Sequence, residues 1–369
     1  MYRTDKRIVI TLDAGGTNLV FGAMRGCEYI TTPITYPSNA HDLDLCLATI
    51  VKGFKEVIES LDEKPVAISF AFPGPADYPN GIIGGYLPNF PSFRNGVALG
   101  PYLEREFGIP VYINNDGDLF AYGEALCGAL PAINKKLKAS GSAKQYNNLI
   151  GYTFGTGFGV GIVVDGKLNR GDNSCVETFC LPHKTKHGIM AEEGVSVRAI
   201  KRVYRELSGD ERTDLTPKDI CEIADGKQSG DSEAAKKAFA EMGETAGFSM
   251  ALAASLIDGI IVIGGGITAA RHLMIDAILK ELRGTVCTLD GTMVKCVQPE
   301  VFYLDNPEEF EKFSAGARQT IMIPGTDIQV IYDPMKRLGV VFSEIGASKA
   351  ISAGAYAFAL SQLDSKDVE

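Results

Sequence analysis

Apolar and polar positions divide the chain into strands and helices in a recurring order. IVITLD and LVFGAM are short apolar runs, and the small residues Gly15-Gly16-Thr17 between them predict a hairpin. LDLCLATIVKGFKEVIESL carries apolar residues near helical spacing, and VAISFAFPG is a buried-strand run ended by Pro-Gly. A helix over VALGPYLEREFG then precedes the short strand VYINN. This βαβ alternation predicts a sheet covered by helices.

GYTFGTGFGVGIVV, residues 151–164, repeats the opening theme of strand, Gly/Thr turn and strand. It reads as an internal duplication, one copy per domain. From Thr216 to Asp258 the pattern is mostly helical, with Thr216-Pro217 opening one helix and Asp231 capping a longer one. IIVIGGG reads as a buried strand, and ITAARHLMIDAILKEL as a helix that starts at the glycines. The small residues of GASKAISAGAYAFALSQL suit a last helix packed closely across a domain junction. PAINKKLKASGSAKQYNN reads as an exposed loop. Within 284–334, IQVIY after the PGTD turn predicts an added hairpin.

At 369 residues the chain fits two domains, and 45% hydrophobic content is ample for two cores. A net charge of -10 argues against nucleic acid or an anionic membrane as partner. No apolar stretch is long enough to span a bilayer, and Asp13 breaks the first apolar run too early for a signal peptide. The eight cysteines therefore read as cytoplasmic thiols and not as a disulfide framework.

Three glycine loops carry candidate chemistry. In DAGGTN, the turn Gly15, Gly16, Thr17 and Asn18 would expose backbone N–H groups to a polyphosphate, and Asp13 could hold Mg²⁺ through water. An ordinary tight turn is the plainer alternative. In FGTGFGVG, Gly155, Thr156 and Gly157 form a second turn of this kind, with a threonine hydroxyl for phosphate. Its glycine spacing is not G-x-G-x-x-G and a strand follows it, which argues against a nicotinamide enzyme. Gly264, Gly265 and Gly266 join a strand to a helix, where an adenine and ribose could lie against the backbone. Tight packing of helix on strand would explain these glycines equally well. In INNDGDLFAYGEA, a carboxylate at Asp116 could deprotonate a sugar hydroxyl for phosphoryl transfer; the alternative is an Asx turn.

The order of these pieces resembles the actin/hexokinase/heat-shock ATPase superfamily and, within it, the ROK family of repressors and sugar kinases, from about Ile8 to the last helix. DAGGTN and GTGFGVGIVVDGKL resemble its two phosphate motifs, FPGPAD with LPNF its sugar loops, and IDGIIVIGGGI its adenosine motif. The resemblance implies two α/β domains of the actin-like, ribonuclease H-like fold facing a cleft, here drawn as 1–119 with 348–369, and 120–347 with an inserted segment near 284–334. It implies an ATP- and Mg²⁺-dependent cytoplasmic kinase acting on a hexose or hexose derivative. Asp116 aligns with the catalytic base, and Gly74, Asn89 and Asn115 with sugar-contacting positions. Asp13 aligns with the aspartate on the metal and phosphate side. Asp118 departs from the family's usual Asn.

NSCVETFCLPHKTKHGIMAEEGVS, residues 173–196, departs further. The family's Glu-x-Gly-His slot reads ETFC, keeping Glu177 but placing Cys180 where the histidine belongs; Glu192 aligns with a second sugar carboxylate. The Cys-rich zinc segment is missing. Cys175, Cys180, His183 and His187 could supply four zinc ligands, yet their C-x4-C-x2-H-x3-H spacing matches neither a zinc finger nor the family site. Unmetallated thiols and surface histidines are the preferred reading. The competing function is a catalytically silent sugar-binding or regulatory member. A helix-turn-helix like that of the family's repressors has no room before the first strand. A homodimer is left open.

Overall fold

The computed structural model describes residues 2–74, 76–142 and 144–366. The expected bounds at residue 1 and at 367–369, and Pro75 of the FPGPAD motif, lie outside them. The chain divides into two compact units. One comprises Met1–Pro131, Gly161–Val176 and Glu344–Glu369; the other comprises Ala132–Val160 and Glu177–Ser343. Residues 120–131 and 161–176 thus fall with the N-terminal strands, where the sequence reading groups them with 120–347.

The first unit is built on the expected hairpin. Val9–Ala14 pairs antiparallel with Asn18–Arg25 and parallel with Ala67–Ala71, which pairs parallel with Val111–Asn114. The helix Leu43–Glu59 starts at Asp42, whose side chain accepts from the Leu45 N–H. The last helix, Ala347–Lys366, lies against Asp116–Leu126 at a contact of small residues. A Cβ on Gly123 would stand 1.9 Å from the Ala350 carbonyl oxygen, and one on Gly354 1.8 Å from that of Leu119. These glycines let two helix backbones touch, which fixes 120–126 in this unit and places that close packing inside it.

The second unit repeats the plan. Leu149–Phe154, Ile260–Gly264, Arg337–Phe342 and Glu300–Tyr303 form parallel neighbours in that order. Thr216 makes a capping box with Asp219, and Asp231 caps Ser232–Leu256, both as expected. Three expectations need correction. The loop expected after Pro131 is largely helix, Ala129–Ala139, because Leu130, Ile133 and Leu137 recur at helical spacing and are buried. The helix expected from the glycines is split at Met274 into a 3₁₀ segment, Gly266–Leu273, and the α-helix Ile275–Leu282. The segment 284–334 is not all insertion: Glu300–Tyr303 is an edge strand of the main sheet. The expected hairpin is there, Gln319–Met322 with Gln329–Tyr332, and Thr285–Cys287 with Met293–Lys295 forms another.

The all-thiol reading also fails at one pair. Cys27 and Cys127 are joined by a disulfide, with Cα atoms 6.0 Å apart across 100 residues of sequence. Only the fold brings them together, so spacing gave no signal. No described helix is long and apolar enough to cross a membrane.

Candidate active site

The parallel strands of the first unit end level with one another. Asp13 lies opposite Ala71, and Ala71 opposite Asn114. The residues that follow, Gly74 and Asn115-Asp116, therefore emerge at the same sheet end as Asp13. That is the end where open α/β sheets hold ligands, because backbone N–H groups and helix starts face outward there.

The Gly15–Asn18 turn is tight, with the Gly15 N–H donating to the Asn18 carbonyl at 2.9 Å, and all four of its residues are exposed. Buried Ser38 braces it: its hydroxyl donates to the Gly16 carbonyl at 2.5 Å, and its N–H to the Thr17 carbonyl at 2.9 Å. A Cβ on Gly16 would stand 2.9 Å from the Asn89 Cβ, so the turn abuts the second sugar-loop residue. A Cβ on Gly74 would meet the Tyr78 hydroxyl at 2.8 Å, which itself donates to the Phe72 carbonyl.

Asn115 caps the helix Asp116–Leu126 instead of ending the strand. Its Oδ1 accepts from the Gly117 N–H at 2.7 Å, and Asp116 Oδ1 shares that donor at 2.9 Å. The Asx geometry is thus present, and it holds the Asp116 carboxylate at the exposed start of that helix. The Asp116 side chain is open to solvent but recessed among surrounding protein, and that desolvation raises its pKa. The Gly117 N–H opposes the rise, and the Asp13 carboxylate adds to it. Asp13 is raised too, first by burial, while a hydrogen bond from Ser348 lowers it. It lines a cavity of about 530 Å³ together with Tyr29 and Ser348.

Asp118 is buried, and burial pushes its carboxyl up to about 7; Arg170 opposes this and Asp116 adds to it. Arg170 donates to Asn114 Oδ1 at 2.8 Å. Nothing in the sequence around GKLNRGD or GASKA marks Arg170 or Ser348 as parts of this cluster.

In the second unit, the strand ends again coincide, Thr153 opposite Gly264 and Ile263 opposite Phe342. This places the Gly155–Gly157 turn and the Gly264–Gly266 junction on one edge. The Gly155 N–H donates to the Gly157 carbonyl at 3.1 Å. Gly265 has φ 99°, and a Cβ there would stand 2.2 Å from the Phe154 carbonyl oxygen. Backbone conformation and close approach both demand glycine at that position.

Glu192 braces the second turn. Its Oε2 accepts from the Phe158 N–H at 3.1 Å, and its Oε1 from Arg198 at 2.8 Å. Arg198 also donates to the Thr156 carbonyl at 3.4 Å. Glu177 is half-buried and Cys180 exposed. Cys175, Cys180, His183 and His187 form no three-donor cluster among the described residues, and His183 Nδ1 accepts from the N–H groups of Thr185 and Lys186. In this structure the four side chains do not converge on a single point. The group that does converge is Cys221, Asp225 and His272, where Lys227 and His272 each pair with one Asp225 oxygen.

The family model described as ROK family matches residues 9–301. The chain belongs to the ROK family. Its fold is the actin-like α/β architecture of ROK kinases. A glucokinase of Parabacteroides distasonis is 52% identical, with 98% of this chain and 99% of that one covered and a TM-score of 0.88. A ROK glucokinase of Streptomyces griseus, solved with glucose and AMPPNP, is 20% identical, with 94% and 98% covered and a TM-score of 0.60. The glucokinase of Streptomyces coelicolor is 24% identical over 302 residues, 75% of this chain and 87% of its own length.

Proposed function

We propose that this ROK protein is an ATP-dependent kinase that phosphorylates a hydroxyl of a hexose or hexose derivative. The observation that carries the reading is the recessed Asp116 carboxylate, presented by a helix start at the strand ends that also hold Asp13 and the first glycine turn. The glucokinases among its relatives, one of them bound to glucose and AMPPNP, support it. An ATP requirement is the support for a cytoplasmic location, since the Cys27–Cys127 disulfide removes the argument from free thiols.

Asp116 accepts the proton of the attacking hydroxyl, and its raised pKa makes it a better acceptor than an ordinary carboxylate. Gly74, Asn89 and Glu177 hold the sugar, as does the Asn115 amide, whose oxygen is already taken by Gly117. The turns Gly15–Asn18 and Gly155–Gly157 direct backbone N–H groups at the phosphates, and Gly264–Gly266 leaves room for adenosine. Asp13 suits a Mg²⁺ ion: its half-buried carboxylate lines an open cavity, and the desolvation that raises its pKa is a cost that a neighbouring cation would offset. When bound, Mg²⁺ supplies the positive charge that neutralises phosphate charge developing in transfer.

One observation favours a silent binder: exposed Cys180 stands in the histidine slot. A coupled ADP-release assay over a panel of hexoses, with sugar binding measured in parallel, separates the two readings. Turnover with at least one hexose is expected; binding without turnover for every sugar would establish the silent binder.

Glu192, which aligns with a sugar carboxylate, here accepts from the Phe158 N–H of the phosphate turn through Oε2 and from Arg198 through Oε1. Glu192→Ala should therefore raise the KM for ATP by about tenfold, the loss of a charged hydrogen bond, and leave the sugar KM within about twofold. A rise confined to the sugar KM would restore the sugar-contact role.

A further inference from the structure

Cys221, Asp225 and His272 lie in the second unit, and no step of the proposed phosphoryl transfer uses them. Among the described residues they are the one group of three metal-ligating side chains that converge. One donor atom from each falls within 4.8 Å of the other two.

Two elements bring them together. The helix Pro217–Ala224 starts at the Thr216–Asp219 capping box, and buried Ile220, Ile223 and Ala224 fix which side of it faces the core. Cys221 and the end residue Asp225 stand one helical turn apart and so share a face. The Asp225 N–H donates to the Cys221 carbonyl at 3.0 Å, which holds that turn closed. His272 comes from the 3₁₀ segment Gly266–Leu273, anchored by buried Ile267 and Ala270. Its Nε2 stands 2.9 Å from Asp225 Oδ1, a contact across 47 residues of sequence. Lys227 donates to the other carboxylate oxygen, Oδ2, at 2.8 Å.

We propose that Cys221, Asp225 and His272 form a zinc site that ties the Gly266–Leu273 segment to the helix Pro217–Ala224. Three features select this ion. First, a thiolate and an imidazole are the donors zinc prefers, whereas Mg²⁺ and Ca²⁺ need oxygen ligands and would find a single carboxylate. Second, the spacing fits. Ligand atoms around a tetrahedral zinc stand roughly 3.3–3.6 Å apart. The His272–Asp225 pair is slightly closer than that, and the widest separation in the group is at most about 1.2 Å wider. Side-chain rotation can close such a gap, and the half-exposed His272 ring has room to turn.

Third, Asp225 is already oriented. With Oδ2 held by Lys227, the carboxylate offers only Oδ1 to the group, the way an outer partner fixes a metal ligand. The lysine also offsets one of the two negative charges that thiolate and carboxylate would bring together. When zinc enters, it takes the place of the hydrogen between His272 Nε2 and Asp225 Oδ1. The proton of a neutral imidazole moves to Nδ1, the Cys221 thiol releases its proton to solvent, and a water completes the tetrahedron.

Cobalt titration of the full chain, freed of metal with a chelator, tests this. The wild type should bind one Co²⁺ per chain and show a thiolate-to-cobalt band in the near ultraviolet, which Zn²⁺ bleaches. Cys221→Ser should abolish that band, and His272→Ala should weaken Co²⁺ binding at least about tenfold. A Cys175→Ser/Cys180→Ser double variant should keep it. Hydrogen exchange gives a readout that needs no variant: zinc should raise protection over residues 266–273 of the wild type. A wild type without the band overturns the proposal, as does a band that Cys221→Ser retains. A band lost in the double variant assigns the ion to residues 173–196 and also overturns it. Zinc that binds but leaves exchange over 266–273 unchanged removes the tie between the two elements. None of these readouts uses catalysis, so the kinase reading stands or falls separately.

Discussion

Asp116→Asn should lower kcat by about 10²- to 10⁴-fold, the range for loss of a general base, while sugar binding stays within a few-fold of wild type. The substitution keeps the shape of the side chain and an oxygen to accept from the Gly117 N–H, so the helix start should persist. What it removes is the ability to take a proton. Because desolvation by the surrounding protein, with a smaller addition from the Asp13 charge, raises the Asp116 pKa, wild-type kcat should fall as pH drops through a value above the ordinary carboxylate range. The variant should lose that limb of the profile. A kcat within tenfold of wild type on the preferred hexose would remove Asp116 from the chemistry.

The second large effect concerns stability. Asp118 is 6% exposed, and its pKa rises from 3.8 to about 7 on folding. Between these values the folded chain holds a proton that the unfolded chain has released. Stability therefore falls as pH rises through that window and levels off above about 7. About three units at ~1.4 kcal/mol each make this on the order of 4 kcal/mol. Asp118→Asn, which restores the family's usual residue, removes that slope. The melting temperature of the variant minus that of the wild type should grow by several degrees between acidic and neutral pH. Asp13 and Asp116 are present in both proteins, so their slopes cancel in the difference. Melting curves that stay parallel across that range would show that Asp118 is already ionised in the fold.

The order of elements was legible because the chain announces its strand ends. Gly15-Gly16-Thr17, Gly155-Thr156-Gly157 and Gly264–Gly266 all follow apolar runs, and all three sit at the strand ends. The glycine pattern was less legible where glycine serves packing. A Cβ on Gly161 would stand 2.3 Å from the Gly117 carbonyl oxygen, so this last glycine of FGTGFGVG seats the Asp116 helix and is remote in role from phosphate.

Long-range pairings left no trace in the pattern. The Cys27–Cys127 bond, the Ser348 hydroxyl on Asp13 and the Arg170–Asn114 contact each join residues far apart in sequence. Glu192 shows the same gap: its spacing to Ser196 matched a family motif, but its partner Phe158 lies in an earlier turn. Basic residues hid the helix Ala129–Ala139, where lysines on the solvent side masked the buried Ile133 and Leu137.

A crystal structure with the preferred hexose and a non-hydrolysable ATP analogue, read beside NMR assignment of the phosphorylated hydroxyl, bears most directly on Asp116. The account predicts an Asp116 carboxylate oxygen about 2.6–3.2 Å from that same hydroxyl. A sugar bound with that hydroxyl beyond hydrogen-bond reach of Asp116, or held against another carboxylate, would contradict it.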